Sequence, residues 1–305
     1  MRRKSVWIQE REVFMEKKYK AVFFDWDGTA VLSRKAPVEE IVGAMGPLLD
    51  QKVNLVIVSG TTMENIAGGK LDSYFTKEQL EHLYLGLGRG AFNYRYENGQ
   101  EIVFSDMLPD RKLLSDIHRI CFDIHMELLE KYGMNTDIVF SRPNYCKIDL
   151  MVENQRGDNL FMQGNELDLL KDCLKRHGVE GGLQGLLDIS VAAGERYGIT
   201  VKPTCDAKYL EVGISSKSDN VDRILEHLQS AYGICPEECS FWGDEYVGIE
   251  GGIYGSDSFM KTEKTGAGDF FDVSEVRGKR PEGVTKLGGG VERFLGFLRE
   301  QAKME

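Results

Sequence analysis

The sequence YKAVFFDWDGTAVLS, residues 19–33, decides the fold, because a run of apolar residues in it ends abruptly in two aspartates. Residues 20–25, KAVFFD, hold an uninterrupted apolar run of strand length, which is typical of a β-strand covered on both faces. Asp25 and Asp27 stand on either side of a tryptophan, and Gly28 then allows the chain to turn tightly. The stretch therefore predicts a buried strand that ends in acidic groups.

The surrounding sequence predicts a parallel sheet. Residues 38–50 have helical spacing, and VNLVIVSG at residues 53–60 is a second buried strand, so the first 60 residues indicate a β-α-β unit. The same alternation returns after residue 217, whereas the region between predicts an antiparallel sheet with helices. We therefore expect an α/β protein with a doubly wound parallel-sheet core and an inserted α+β cap domain. The core is assigned to residues 1–108 and 213–305, and the cap to residues 109–212.

Several smaller elements are predicted with these domains. Asn98-Gly99 indicates the turn of a β-hairpin, residues 110–132 indicate a long amphipathic helix, and GITVKP at residues 198–203 indicates a strand. GLGRGA at residues 86–91 matches a dinucleotide-binding pattern. That pattern requires a following helix, and the next residues alternate like a strand instead, so we do not expect a nucleotide cofactor.

Composition limits the functional classes. The chain of 305 residues has a formal net charge of −11 and a pI of about 5.1, which argues against coating nucleic acid. Six cysteines are scattered without a C-x-x-C pair, as is usual for reduced thiols. No stretch is apolar enough for a signal peptide or a membrane span. We expect a cytoplasmic protein without nucleic-acid or membrane partners, and the sequence does not specify its oligomeric state.

The chemistry follows from which groups end the strands. Ligands of open parallel sheets bind beyond the carboxyl ends of the strands, where Asp25, Asp27, Ser59 and Asp244 are predicted to lie. A single aspartate at such a place is usually a turn former, but several strand ends with polar groups indicate a common site. Carboxylates from separate strands form an oxygen-rich site suited to Mg²⁺. The sequence therefore predicts a magnesium-dependent reaction of an anionic phosphate.

Two carboxylates in this arrangement can divide the work of phosphoryl transfer. One can act as a nucleophile and form an aspartyl-phosphate, and we assign this role to Asp25. Asp27 lies two residues further along and can donate a proton to the leaving alkoxide and later accept one from water. Gly28 would let the backbone present its amides to the phosphoryl oxygens.

These motifs resemble those of the haloacid dehalogenase (HAD) superfamily of phosphotransferases. DWDGT resembles the first motif and VIVSG the second, in which Ser59 would bind the phosphoryl group. SSKSDNVDRILEHL resembles the third and makes Lys217 the phosphate-neutralising cation, while FWGDE with GSDSFM resembles the fourth. The resemblance implies a C2-type cap and the activity of a Cof-type or sugar-phosphate phosphatase, or of a phosphomannomutase-like enzyme.

The sequence departs from the resembled motifs at two places. Thr61 stands where related phosphatases usually have arginine. In the fourth motif Asp257 follows Asp244 by 13 positions (257 − 244), whereas the family spacing is about four, so Glu245 and Glu250 are rivals for the second acidic position. We favour Asp257 because GSDSFM resembles the family's G-N-D-x-x-M. The longer loop with its Gly-Gly pair is similar to that of phosphomannomutases.

The sequence thus predicts a Mg²⁺-dependent phosphomonoester hydrolase for a sugar phosphate or similar small phosphorylated metabolite. The alternatives are a phosphomannomutase-like phosphosugar mutase and a non-catalytic phosphosugar sensor. In the cap, Arg142 and Asn144 interrupt a strand that resumes at Lys147, so they form either a solvent-facing turn or a substrate-binding turn. The candidate residues are, for catalysis, Asp25, Asp27, Ser59 and Lys217; for substrate binding, Gly28, Thr29, Gly60, Arg142 and Asn144; and for the metal, Asp25, Asp27, Asp244 and Asp257.

Overall fold

The computed structural model describes most of the chain, namely residues 17–140, 142–152, 166–205, 208–250 and 252–304. The chain divides into two compact units. The first unit comprises Met1–Asp106, Lys217–Tyr246 and Asp257–Glu305, and the second comprises Met107–Ser216 and Val247–Ser256.

Within the described residues, the elements follow one another in a predominantly alternating order. The first part of the chain contains β1 (Ala21–Phe24), α1 (Glu39–Asp50), β2 (Asn54–Val58), α2 (Lys77–Leu80), β3 (Leu83–Leu87), β4 (Phe92–Glu97) and β5 (Gln100–Asp106). The middle part contains α3 (Arg111–Tyr132), β6 (Asp137–Val139), β7 (Tyr145–Asp149), α4 (Glu166–Arg176), α5 (Gly182–Glu195), β8 (Thr204–Cys205) and β9 (Tyr209–Gly213). The last part contains α6 (Lys217–Tyr232), β10 (Cys239–Gly243), β11 (Gly248–Glu250), β12 (Ile253–Tyr254), β13 (Asp269–Asp272), β14 (Val284–Lys286) and α7 (Gly290–Gln301).

The first unit is built on one mixed sheet, whose described strands have the order β14-β13-β10-β1-β2-β3-β4-β5. The pairs from β14 to β3 are parallel, and β4 and β5 continue the sheet in antiparallel pairs. The predicted Asn98-Gly99 turn joins β4 to β5, and both of its residues have positive φ. The predicted α/β fold with a mostly parallel sheet is confirmed.

The apolar runs of the strands are explained by packing on both sheet faces. Successive side chains of a strand point to opposite faces, so a run without alternation must be covered twice. Val22 and Phe24 pack in a cluster with residues of α1 and α7, whereas Phe23 packs on the other face with residues of α6. Both faces of β1 are therefore covered by apolar side chains, and its polar residues follow at the carboxyl end of the strand.

The second unit has a four-stranded antiparallel sheet in the order β6-β7-β9-β8. Cys146 and Ile148 of β7 pack with residues of α3, α4 and α5 in one apolar cluster. The alternate residues Tyr145, Lys147 and Asp149 therefore lie on the opposite face of the strand. This unit is α+β in composition, as the sequence predicts for the cap.

Three details of the second unit differ from the sequence analysis. The hairpin β11–β12 groups with this unit, although the sequence assigned it to the core, because Ile249 and Ile253 pack in its apolar cluster. The predicted strand at residues 198–203 is wrong, since β8 begins only at Thr204. Helix α5 was not predicted, because its three glycines are unfavourable for a helix and are overridden by packing.

Two further observations concern classes of function. The GLGRGA stretch begins in the last two residues of β3 and is followed directly by strand β4, so the helix required for dinucleotide binding is absent from that place. Among the described residues, no helix combines the length and the apolar character needed to cross a membrane.

Candidate active site

The parallel strands of the first unit bring the predicted polar residues to one edge of the sheet. Strand β1 lies between β2 and β10, with Phe24 in register with Ile57 and Trp242. The next residue in the chain, Asp25, donates its backbone N–H to the carbonyl of Trp242 at 2.9 Å. Because the three strands run in the same direction, Asp25, Ser59 and Asp244 follow their carboxyl ends side by side.

Lys217 makes the central contacts of this site. It is the first residue of α6, and its Nζ donates to Asp25 Oδ1 at 2.7 Å and to Asp257 Oδ1 at 2.8 Å. All three side chains are buried, and buried charges are tolerated only when they are paired and hydrogen-bonded. Lys217 thus joins the end of β1 to the 3₁₀ turn Ser256–Met260.

The acids outnumber this cation. Carboxylate oxygens of Asp25, Asp244 and Asp257 all lie within 4.8 Å of one another. Burial raises the pKa of Asp25 to about 8, against the opposing effect of Lys217 and with a further contribution from Asp257. Burial and the neighbouring carboxylates also raise the pKa of Asp244 well above its usual value. Three clustered carboxylates with one ammonium leave surplus negative charge, and this donor set fits a hard divalent cation such as Mg²⁺.

The pKa of Lys217 is raised as well. Burial alone would lower it, but the carboxylates of Asp25 and Asp257 outweigh burial. The ammonium therefore stays charged over the ordinary pH range, while burial first, and then the neighbouring carboxylates, raise the pKa values of Asp25 and Asp244.

Gly28 and Thr29 fit closely around Asp244. Gly28 has φ of 91°, and a Cβ on it would lie 2.3 Å from Asp244 Oδ2. Thr29 donates its hydroxyl to Asp244 Oδ1 at 3.1 Å. A side chain at residue 28 would thus meet both backbone strain and a collision, which accounts for the glycine that follows the two aspartates.

Asp257 is held by backbone amides as well as by Lys217. Its Oδ2 accepts from the N–H groups of Asp244 at 2.9 Å and of Glu245 at 2.8 Å. The glycine at 243 leaves the space for this carboxylate, since a Cβ there would lie 2.3 Å from Asp257 Oδ2. Of the rival acids, Glu245 is exposed and Glu250 accepts the N–H of Leu183 at 3.0 Å within the second unit. The geometry therefore favours Asp257 as the second acid of the fourth motif.

Ser59 and Gly60 form the turn after β2. Ser59 is buried, and its Oγ accepts the N–H of Thr61 at 3.3 Å. Thr61, where arginine was expected by resemblance, is also buried and receives the N–H of Gly88 on its carbonyl at 2.9 Å. The departure from the resembled motif therefore lies in a buried turn.

One contact of the site was missed in the sequence. Arg34 Nη2 lies 3.2 Å from Asp27 Oδ2, so the side chain of Asp27 is paired with a cation rather than grouped with the three clustered acids. Asp27 Oδ1 and Arg34 Nε are buried and have no hydrogen-bond partner in the described part of the chain. The sequence offers little signal for this pair, because the seven-residue separation falls within a loop and has no helical or strand periodicity.

The residues predicted to bind substrate from the cap lie in the second unit. Asn144 is fully buried, and its Nδ2 donates to Ser215 Oγ at 3.3 Å. Arg142 is half-buried, and its Nε has no hydrogen-bond partner among the described residues. Lys147 forms an ion pair of 2.6 Å with Glu211 on the neighbouring strand. Arg142 therefore has one donor, Nε, without a partner among the described residues. Asn144 instead connects its turn to the residues that follow β9.

Comparisons with known proteins support the fold. No protein-family model and no curated protein sequence matches the chain. Among solved structures, an N-terminally truncated IMP-bound IMP-nucleotidase of Plasmodium falciparum is similar with a TM-score of 0.58 and 13% identity, over 96% of this chain and 70% of the other. The C-terminal domain of C. albicans trehalose-6-phosphate phosphatase has a TM-score of 0.58 and 16% identity, over 96% and 95% of the two chains.

A third similar structure is the trehalose-6-phosphate phosphatase of Aspergillus fumigatus, with a TM-score of 0.56 and 15% identity over 95% of this chain and 94% of the other. At this identity the likeness concerns the fold. The chain therefore has the same α/β fold as the structures of these enzymes, with the mostly parallel sheet that its sequence predicts.

The surplus of buried negative charge predicts that Asp244→Asn stabilises the metal-free protein. The raised pKa of Asp244 means that the folded state binds more protons than the unfolded state, so stability falls as pH rises above the ordinary carboxyl range. The asparagine can still accept the Thr29 hydroxyl and carries no charge. In EDTA at about pH 8 we expect a melting temperature higher by roughly 2–4 °C for each kcal/mol gained.

The gain should shrink as the pH falls toward about 3, below the ordinary pKa of an aspartate, where the wild-type carboxyl is mostly protonated in both states. Mg²⁺ should raise the melting temperature of the wild type much more than that of the variant. Asp72→Asn, at an exposed carboxyl of the same unit, is the matched control and should change neither quantity. An Asp244→Asn protein that melts below the wild type in EDTA would contradict the charge argument.

Proposed function

We propose that the protein is a Mg²⁺-dependent phosphomonoester hydrolase that acts through an aspartyl-phosphate on a small phosphorylated metabolite. One observation carries this proposal. The ammonium of Lys217 bridges Asp25 and Asp257 at 2.7 and 2.8 Å, inside a cluster of carboxylates at the carboxyl edge of the sheet. A site of this kind combines a nucleophile with a cation and with ligands for a second cation, which is what phosphoryl transfer requires.

The metal would be held by Asp25, Asp244 and Asp257. When bound, Mg²⁺ would offset their surplus charge and polarise a phosphoryl oxygen. Asp27 was also predicted as a metal residue, but its carboxylate pairs with Arg34 and lies outside the cluster. We therefore assign the Asp27 side chain to proton transfer.

The chain's own residues divide the reaction as follows. Lys217 holds the Asp25 carboxylate in place and balances charge on the phosphoryl group. Asp25 attacks phosphorus, and Asp27 protonates the departing oxygen and later accepts a proton from the attacking water. Ser59 Oγ, together with the backbone N–H groups of Thr29 and Gly60, would bind the phosphoryl oxygens. Gly28, also predicted to bind substrate, already donates its N–H to the carbonyl of Val31 at 2.7 Å.

We infer that the substrate is a sugar phosphate or a similar polar metabolite. The face of the cap sheet that carries Lys147 has aromatic and charged side chains. Lys147 is paired to Glu211, and its Nζ lies 4.9 Å from the centre of the Tyr209 ring. Rings and charged groups side by side suit a polyol with apolar C–H faces. Two of the similar structures are named as an IMP-nucleotidase and a trehalose-6-phosphate phosphatase. Both names describe enzymes that act on small phosphorylated compounds.

The proposed location is the cytoplasm. The six cysteines are all free thiols, and five of them are buried, which suits a reducing compartment.

A phosphosugar mutase is the second candidate, favoured by the long segment between Asp244 and Asp257. That segment forms the hairpin β11–β12 and is similar to the extended loop of phosphomannomutases. A hydrolase releases inorganic phosphate in steady state, whereas a mutase returns the phosphoryl group to another hydroxyl of the substrate. Measuring both products with hexose phosphates as probes separates the two, and a non-catalytic sensor would yield neither.

The nucleophile can be tested with Asp25→Asn. We expect phosphate release to fall below about one-thousandth of the wild-type rate, because an amide is a far weaker nucleophile. Asp27→Asn should lower it by about 10²- to 10⁴-fold, because the aspartyl-phosphate is hydrolysed slowly when residue 27 cannot accept a proton from the attacking water. Phosphate release from p-nitrophenyl phosphate with Mg²⁺ is the measurement, and Asp72→Asn is again the control. Wild-type activity in Asp25→Asn, with deamidation excluded by mass spectrometry, would refute the covalent mechanism.

Substrate binding by the cap can be tested with Arg142→Ala. A guanidinium with an unused donor suits an anionic or hydroxyl-bearing part of a substrate. We expect kcat/KM to fall by about tenfold or more for the best hexose phosphate, and by less than about twofold for p-nitrophenyl phosphate, which is too small to engage the cap. Arg111→Ala, at an exposed arginine of the same unit, should affect neither substrate. Equal kinetics of Arg142→Ala and wild type with every hexose phosphate would assign Arg142 to an ordinary surface turn.

A further inference from the structure

The loop that follows the two aspartates folds back on itself. The backbone carbonyl of Trp26 accepts hydrogen bonds from the N–H groups of Ala30 and Val31, both at 3.0 Å. Gly28 donates its N–H to the carbonyl of Val31 at 2.7 Å. A second turn follows, in which Ala36 donates to the carbonyl of Ser33 at 2.8 Å. The two turns bring Arg34, which lies far along the chain for a local contact, back to the side chain of Asp27.

The contact with Arg34 makes the two oxygens of Asp27 unequal. Oδ2 lies 3.2 Å from the Nη2 of Arg34. Oδ1 is buried and has no hydrogen-bond partner among the described residues. A buried carboxylate oxygen without a partner costs roughly 1–3 kcal/mol, so its persistence indicates that another molecule completes it.

The pair is also more sheltered than an ordinary surface ion pair. The side chain of Asp27 is 13% exposed and that of Arg34 is 32% exposed. The adjacent Lys35 carries the same charge, is exposed, and makes no ion pair among the described residues. Of these two neighbouring cations, only Arg34 reaches the acid.

We propose that Arg34 is a positioning residue for Asp27: by holding Oδ2, it turns Oδ1 toward the leaving-group oxygen of the substrate and makes Oδ1 the atom that carries the proton. This inference rests on the proposed phosphatase function and adds to it a residue and an atom. Arg34 acts through Asp27 and does not need to touch the substrate.

The proton balance of the proposed step is simple. As the bond between phosphorus and the leaving oxygen breaks, a bond forms between phosphorus and a carboxylate oxygen of Asp25, and the Oδ1 proton of Asp27 passes to the leaving oxygen. In the second step water attacks phosphorus, its proton passes to Oδ1, and the bond to Asp25 breaks. Oδ2 keeps its contact with Arg34 through both steps, so the carboxyl group has no reason to rotate between them.

This assignment makes a specific prediction about leaving groups. p-Nitrophenolate is a good leaving group and departs readily without being protonated. p-Methoxyphenolate has nearly the same size, but its departure depends more strongly on proton transfer. If Arg34 serves proton transfer, removal of its side chain should slow hydrolysis of the p-methoxyphenyl ester far more than hydrolysis of the p-nitrophenyl ester. If it instead bound the phosphoryl group or supported the fold, both esters would suffer alike.

The experiment compares p-nitrophenyl and p-methoxyphenyl phosphate in wild type, Arg34→Ala, Arg34→Lys and Lys35→Ala. We expect Arg34→Ala to lower kcat/KM by less than about threefold for the nitrophenyl ester and by about 10- to 100-fold for the methoxyphenyl ester. Arg34→Lys keeps a positively charged donor for Asp27 Oδ2 and should recover most of the activity toward p-methoxyphenyl phosphate. Lys35→Ala removes the same charge from the same loop and should match the wild type.

A double-mutant cycle supplies the second readout. In an Asp27→Asn background the proton is no longer transferred, so Arg34→Ala should lower the residual rate by less than about twofold further. Equal losses for the two esters, additive losses in the cycle, or a lysine variant as poor as alanine would each overturn the inference while leaving the phosphatase proposal in place. A wild-type protein that hydrolyses neither ester would overturn both together.

Discussion

The buried ammonium of Lys217 is the interaction on which the rest of the site depends. It contacts Asp25 and Asp257, which come from opposite sides of the inserted cap segment in the sequence, and these two acids belong to the cluster of three carboxylates. One ammonium cannot balance three carboxylates. The folded protein therefore holds a negative charge that a proton or a metal ion can offset. Burial first, and then the neighbouring carboxylates, raise the pKa values of Asp25 and Asp244.

The same imbalance links stability to function. A site optimised for the stability of the metal-free chain would contain fewer acids, yet these acids are the ligands that we propose for a divalent cation. Close packing and hydrogen bonds offset part of the free-energy cost of clustering these carboxylates. Glycines at 28 and 243 leave room for them, and backbone amides and the Thr29 hydroxyl donate hydrogen bonds to them. Asp27 stands apart from this group because Arg34 pairs with it, so two neighbouring aspartates have different surroundings and suit different roles.

Much of the core could be predicted from the sequence, because strand ends are local features. The apolar runs at residues 20–25 and 53–60 end where the structure ends β1 and β2, and the parallel order then brings Asp25 and Ser59 together. Arg34 could not be predicted, since its contact depends on two successive turns without periodicity. The grouping of the hairpin β11–β12 with the second unit was equally hidden, because Ile249 and Ile253 show where they pack only once the second unit has folded.

The central claim is that Asp25 becomes phosphorylated during turnover, and trapping that intermediate tests it most directly. Rapid acid quenching of the wild-type protein during turnover of p-nitrophenyl phosphate, followed by peptide mass spectrometry, should find one phosphoryl group on Asp25. The Asp27→Asn variant should accumulate more of it, because water can no longer give up its proton to Asp27 in the second step. Steady phosphate release with no phosphorylated Asp25, or with the phosphoryl group on another residue, would contradict the account.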